Sequence, residues 1–205
     1  MIENIESDVR VSYGNEILYR MCSERPDHKD RDTVASKIWI IGRAYAAAIE
    51  RGAGERIEEG KDFCQDIVAP DILKEPIDDW IAQVSSIKRL TVENIGESLR
   101  CHKKVMDLFR TITRGATKRS LASKYLHFHA RHAFFIYDSR AIKKIKAEIK
   151  AVPPEIETKL DSQDFDPVYA DFCARCLIYR EKLENGSDEK ISPRMLDMKL
   201  LGYKL

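Results

Sequence analysis

The sequence predicts an all-α protein, a single-domain helical bundle arranged around a central apolar helix. Apolar residues recur at helical spacing along most of the 205 residues, and no stretch shows the alternation of a half-buried strand. Hydrophobic residues make up 43% of the chain, which is enough for one domain to bury a sizeable core. We expect one domain over residues 1–205, with a polar lead-in at 1–32, core helices and a basic half at 33–150, and C-terminal helices at 151–205.

The first half of the chain carries four predicted helices. A short helix over Tyr13–Cys22 interrupts the polar lead-in. Val34–Arg51 is the most apolar helix and is predicted to be the central one, ended by the glycines at 52 and 54. Two shorter patterns follow, over Glu55–Val68 and Pro76–Ile87.

The clearest periodicity in the chain predicts a long helix over Val92–Thr113. Its buried stripe consists of Ile95, Leu99, His102, Met106 and Phe109. Later in the chain, an acidic loop leads to a helix over Val168–Leu183. Ser192-Pro193 is a capping signal for a last helix, Arg194–Leu201.

One lysine stands where helix periodicity expects an apolar residue. If Leu121–His132 is helical, Lys124 lies within the stripe formed by Leu121, Tyr125 and Phe128. A buried lysine loses hydration of its charged form, so its pKa falls and a nucleophilic neutral amine becomes available. The alternative is a lysine at the edge of the stripe whose amine extends to water.

An aspartate opens the next helix. After an extended link over Ala133–Tyr137, Asp138 occupies the N-cap position, where a carboxylate accepts backbone N–H bonds. Plain capping is one interpretation. The other is that helix, link and capped helix fold back and place the amine of Lys124 and the carboxylate of Asp138 in one cleft.

Positive charge is concentrated around these residues. Arg100 to Lys150 contains 14 Lys or Arg against three acids, although the net charge of the whole chain is only +1. Such asymmetry favours a nucleic-acid surface, while a solvated helix face is the plainer explanation. Lys118, Arg119 and Ser120 join two predicted helices and are predicted to hold a DNA phosphate, together with helix N-terminal N–H groups.

Further candidate DNA- or substrate-binding residues lie near this stretch and on the predicted central helix. They are Arg43, Tyr45, Ser123, His129, Tyr137 and Arg140. Tyr45 would stack a flipped base and Arg43 would meet a phosphate, unless both serve packing. Either His129 or His132 would act as a proton shuttle near Asp138, and the sequence does not decide between them. We expect no metal site, because His127 faces away from His129 and His132 on a helix.

A lysine near the start of a helix, a short apolar link and an aspartate opening the next helix resemble the signature of the helix-hairpin-helix DNA glycosylase superfamily. The resemblance is to its base-excising lyases of the 8-oxoguanine-glycosylase type. It implies that Lys124 attacks the sugar C1′ to form a Schiff base and that Asp138 assists cleavage of the glycosidic bond. The glycines that usually precede the lysine are absent here, where the chain reads Arg119-Ser120-Leu121-Ala122-Ser123.

The expected function is thus DNA base excision without a cofactor, on an unusual or modified base, with DNA as partner. The alternative is a non-catalytic helical nucleic-acid-binding module of a defence or regulatory complex. A nuclease ranks last, because the carboxylate cluster of a two-metal site is missing. No apolar run reaches membrane-spanning length, and five scattered cysteines indicate reduced thiols, so we expect a cytoplasmic protein that does not bind membranes.

Overall fold

The computed structural model describes residues 2–51, 53 and 60–203, with side chains described from residue 13 onwards. Over these residues the protein is all-helical, as predicted, and contains no strand. The α-helices, in chain order, are α1 (Ile2–Glu24), α2 (Arg31–Ala44), α3 (Ala69–Ile72), α4 (Ile77–Ser85), α5 (Ile95–Ile112), α6 (Arg119–His129), α7 (Ser139–Glu148), α8 (Pro154–Leu160), α9 (Pro167–Glu184) and α10 (Pro193–Leu201). A π-helical turn, Cys64–Val68, leads directly into α3.

Two buried apolar clusters form the core, and α5 contributes to both. The first cluster joins α1 to α4 with the C-terminal half of α5 and with α6, whereas the second joins the N-terminal half of α5 with α7 to α10. All five residues of the stripe predicted for this long helix are buried, so that prediction is confirmed. The helix itself begins three residues later than predicted, at Ile95.

The helix at the centre of the first cluster is α6 and not α2. Every residue from Leu121 to Phe128 is buried, because α1, α2 and α5 all pack against α6. The helix predicted to be central, α2, is amphipathic instead, and its Trp39 is 51% exposed. The candidate lysine therefore belongs to the most enclosed helix of this cluster.

The predicted helix Val34–Arg51 is shorter in the structure, because the chain turns back at its C-terminus. Helix α2 ends at Ala44, and Ala46 adopts a positive φ of 51°. The returning chain packs on Gly42: a Cβ on this glycine would lie 3.2 Å from Cα of Ala48. Ile49 is buried although it is not helical, so the apolar pattern continues beyond the helix.

Two further predictions are wrong in part, and a third lies partly outside the described residues. The polar lead-in is a core element: α1 is 23 residues long, where a short helix over Tyr13–Cys22 was predicted, and it buries Leu18 and Cys22. The acidic loop expected before α9 contains α8. Within the predicted helix Glu55–Val68, residues 55–59 lie outside the described part of the chain.

Replacing Tyr125 with Phe is expected to lower the free energy of unfolding by about 1–3 kcal/mol. The buried Tyr125 hydroxyl donates to Nε2 of His28 at 2.7 Å, and Nδ1 of His28 donates to Asp78 at 2.6 Å. Without the hydroxyl, a buried ring nitrogen loses its donor. Urea denaturation measures the loss, and Tyr13→Phe, at a 63% exposed position, serves as the control that should change nothing. Equal stability of the two variants would contradict the expected contribution.

Candidate active site

Polar side chains on one face of α6 hold the link that follows the helix. They are spaced i, i+3, i+4 and i+7, at Ser120, Ser123, Lys124 and His127. Ser123 Oγ accepts from the backbone N–H of Tyr137 at 3.0 Å, and Ser120 Oγ donates to the carbonyl of the same residue at 3.0 Å. Nδ1 of His127 donates to the carbonyl of Phe134 at 2.8 Å. These bonds lay the link back along α6 and deliver Asp138 to the start of α7.

The fold-back brings Lys124 and Asp138 into contact. Nζ of Lys124 lies 3.3 Å from Oδ2 of Asp138, while Oδ1 of the same carboxylate accepts from the backbone N–H of Arg140 at 2.9 Å. One carboxylate therefore caps α7 and pairs with the amine, so the two interpretations of Asp138 do not exclude each other. The Lys124 side chain is only 2% exposed and does not extend to water.

The end of α2 supplies another partner for the amine. Because the helix stops at Ala44, the Tyr45 carbonyl is free to accept from Nζ of Lys124 at 3.2 Å, and Ser120 Oγ accepts at 2.9 Å. The amine also lies 5.5 Å from the centroid of the Tyr45 ring. Burial lowers the pKa of Lys124, and the negative charges of Asp138 and Asp197 oppose this shift without cancelling it.

A cleft of about 600 Å³ opens beside Asp138, and Lys124 is not among its lining residues. It is lined by residues of α1, α2, α7, α10 and the chain that follows α10, including Asn15, Ile40, Tyr45, Asp138, Arg140, Arg194 and Tyr203. Most of its wall is apolar, and its charged lining residues are Asp138, Arg140 and Arg194. Its volume lies within the range of small-molecule sites. A planar ring system can therefore enter beside Asp138.

No protein-family model matches this chain, and no curated protein or solved structure matches it. None of the described helices is both long enough and apolar enough to cross a membrane. Among the described residues, no three His, Cys, Asp or Glu side chains are grouped so that they could hold a metal ion.

Lys118 and Arg119, at the start of α6, were predicted to contact a phosphate, but in the structure both are bonded to groups of the protein. Lys118 is buried, and its Nζ donates to the carbonyls of Ala48, at 3.3 Å, and of Arg51. Arg119 forms a bidentate ion pair with Asp166, with Nη2 2.8 Å from Oδ1. These cations therefore tie α6 to neighbouring segments: Lys118 donates hydrogen bonds to carbonyls that follow α2, and the buried carboxylate of the α9 cap balances the charge of Arg119.

Other predicted contact residues also have structural partners. Ser123 is fully buried and, like Ser120, holds the link at Tyr137. Arg43 forms an exposed ion pair with Glu50 at 3.0 Å. Of the predicted binding residues, Tyr45 and Arg140 line the cleft with Asp138.

The contacts of His129 are with His28 and Tyr125 and not with Asp138, so the structure gives no support to His129 as the proton shuttle, for which His132 was the other candidate. The His129 ring stacks on His28 with 5.1 Å between centroids, and its Nδ1 bonds to the Tyr125 carbonyl at 2.8 Å. Burial holds the pKa of His129 well below its usual range. The side chain is therefore a neutral member of the core around α6.

The sequence interpretation missed the residues that α1 and α10 bring to the cleft. Asn15 and Arg194 line it, and the buried Asp197 pairs with Arg194. A local signal existed for the last helix, its Ser192-Pro193 start, but nothing nearby in sequence links it to Lys124. That link exists only because α10 packs on α7.

Proposed function

We propose that this protein is a DNA base-excision glycosylase with lyase activity, in which Lys124 is the nucleophile and Asp138 stabilises positive charge. The observation that carries the proposal is a buried lysine amine in contact with an aspartate at the edge of a ring-sized cleft. A lysine whose pKa is lowered by burial is the type of amine that forms Schiff bases.

The proposed reaction begins with a base flipped out of the stack into the cleft. As the bond between C1′ and the base nitrogen breaks, the ionised carboxylate of Asp138 stabilises the positive charge that develops on the sugar. The Lys124 ammonium first passes a proton to solvent by way of the Asp138 carboxylate, whose side chain is 28% exposed and which ends ionised, and the neutral amine then forms a bond to C1′. The attacking nitrogen gives up a second proton, which the leaving base takes.

Cleavage of the C1′–O4′ bond, with O4′ taking a proton from solvent, then gives a protonated imine between Nζ of Lys124 and C1′. Loss of a C2′ proton and departure of the 3′ phosphate would cleave the strand by β-elimination. No step requires a metal ion or an organic cofactor. The 14 Lys or Arg residues against three acids between residues 100 and 150 favour DNA as the partner, although Lys118 and Arg119 are already bonded within the protein.

Borohydride reduction in the presence of abasic-site DNA tests the nucleophile. We expect a covalent adduct with the wild type and a decrease of at least about 100-fold with Lys124→Met and with Lys124→Arg, which keeps the charge but has no primary amine. The matched control is Lys37→Met, because Lys37 is also fully buried and its pKa is also lowered by burial. The Lys37 variant should form the adduct at the wild-type rate.

Either of two results would contradict Lys124 as the nucleophile. An adduct that survives Lys124→Met would show that another amine reacts. Intact DNA binding without any wild-type adduct would favour the non-catalytic binding module, in which Lys124 and Asp138 only join α6 to α7. Circular dichroism of each variant separates loss of the nucleophile from loss of the fold.

A further inference from the structure

Helix α10 brings a second ion pair to the cleft. Arg194 lines the cleft with a side chain that is 14% exposed, and its Nη1 contacts Oδ2 of the buried Asp197. The pair is separate from Lys124 and Asp138 in sequence, and the mechanism above does not use it. Among the described residues, Oδ1 of Asp197 has no hydrogen-bond partner.

Most N–H groups of the Arg194 guanidinium have no hydrogen-bond partner among the described residues. It carries five N–H groups, and within the described part of the chain its one hydrogen bond is the contact with Asp197. The aspartate fixes the orientation of the guanidinium and balances its charge. A donor group held in this way at the wall of a cleft favours an occupant that brings hydrogen-bond acceptors, because unpaired buried donors are costly.

A second donor lines the same cleft from α1. Oδ1 of Asn15 accepts from the hydroxyl of Tyr45, so the amide NH2 is the end that remains for an occupant. Asn15 is itself buried to more than nine-tenths. Other residues of the cleft wall are apolar, among them Ile17, Leu18 and Ile40. The inner wall thus offers hydrogen-bond donors from two different helices.

We propose that the cleft selects nucleobases that present carbonyl oxygens rather than amino groups, with Arg194 and Asn15 as the specificity-determining residues. Asp197 is a positioning residue that holds the guanidinium. The inference rests on the proposed glycosylase function, which supplies the class of ligand. An amino group facing Arg194 would set donor against donor, whereas a carbonyl oxygen accepts from it.

Two matched pairs of free bases test this selection. Hypoxanthine differs from adenine, and uracil from cytosine, chiefly by a carbonyl oxygen in place of an exocyclic amine. Titration of the full chain, followed by NMR shifts of the arginine side chains, should show the carbonyl member of each pair binding at least about tenfold more tightly. Arg194→Met should abolish the preference, and Arg89→Met, at an ion pair with Glu184 away from the cleft wall, should keep it.

Equal binding of both members, no binding of any base, or a preference that survives Arg194→Met would overturn the inference. Trapping on abasic-site DNA is run in parallel, because that substrate carries no base. An Arg194→Met protein that loses the preference but forms the adduct normally supports recognition as the role of this residue. A base preference in a wild type that forms no adduct would remove the lyase and leave the selection in place, so the two failures are distinguishable.

Discussion

Asp138→Asn is expected to lower the single-turnover rate of base release by at least about 100-fold, a loss typical of removing one stabilising group from a transition state. The carboxylate lies beside the cleft and is the anion nearest to the Lys124 amine. Asparagine still accepts a hydrogen bond from the Arg140 N–H, so the cap of α7 should survive. The rate is measured on whichever modified duplex the wild type cleaves in a panel.

The same variant should keep adduct formation on abasic-site DNA, where no glycosidic bond must break. The charge of Asp138 raises the pKa of Lys124, so its removal lowers that pKa further. The neutral amine then persists to lower pH, and the acid limb of the trapping profile should move to lower pH. Glu148→Gln, which removes an ion pair with Lys144 on the same helix, is the control. A variant that releases the base at the wild-type rate would exclude Asp138 from the chemistry.

Acidification from about pH 7 to about pH 5 is expected to lower the free energy of unfolding by on the order of 4 kcal/mol. Burial lowers the pKa of His102 to about 4 and that of His127 to about 3, and it holds the pKa of His129 well below its usual range. In the unfolded chain these rings take up protons near pH 6.5, whereas in the folded protein they stay neutral. Stability is therefore lost as the pH falls through this window, by about 2 kcal/mol each for His102 and His127, and His129 adds a loss in the same direction.

One buried group opposes this loss. Burial raises the pKa of Asp197 to about 6, so the folded protein binds a proton there at a higher pH than the unfolded chain does. This proton raises the free energy of unfolding by about 1 kcal/mol. Urea denaturation at the two pH values measures the net change, and the ring C–H shifts of His127 report whether it stays neutral. An unchanged midpoint at about pH 5 would contradict the burial of these rings.

The parts of the fold that the sequence predicts well are those decided by local patterns. The stripe on α5 and the Asp138 cap appear where they are expected, because periodicity and capping depend on residues within one or two turns. The place of Lys124 in the stripe left burial and extension to water both open, and the structure shows burial. Its proximity to Asp138 was one of two interpretations, and it needed only one short link to fold back.

The features that the sequence did not predict depend on contacts between segments far apart in the chain. The apolar pattern around Ile49 continued beyond the end of α2, because a buried loop is as apolar as a buried helix. Lys118 looked like a phosphate ligand, yet its partners are carbonyls about 70 positions earlier in the chain. Arg194 was not predicted as a site residue, because only the packing of α10 on α7 places it in the same cleft as Asp138.

Because its wall draws on α1, α2, α7 and α10, the cleft can exist only after segments far apart in the chain have docked. Loop-closure entropy makes such long-range contacts slow to form. A partly folded molecule, with α10 still detached, would have Lys124 in contact with Asp138 but only part of the pocket beside Asp138. Binding of a ligand in the cleft would thus report complete folding, and in refolding experiments we expect helicity to return before the ability to bind a base.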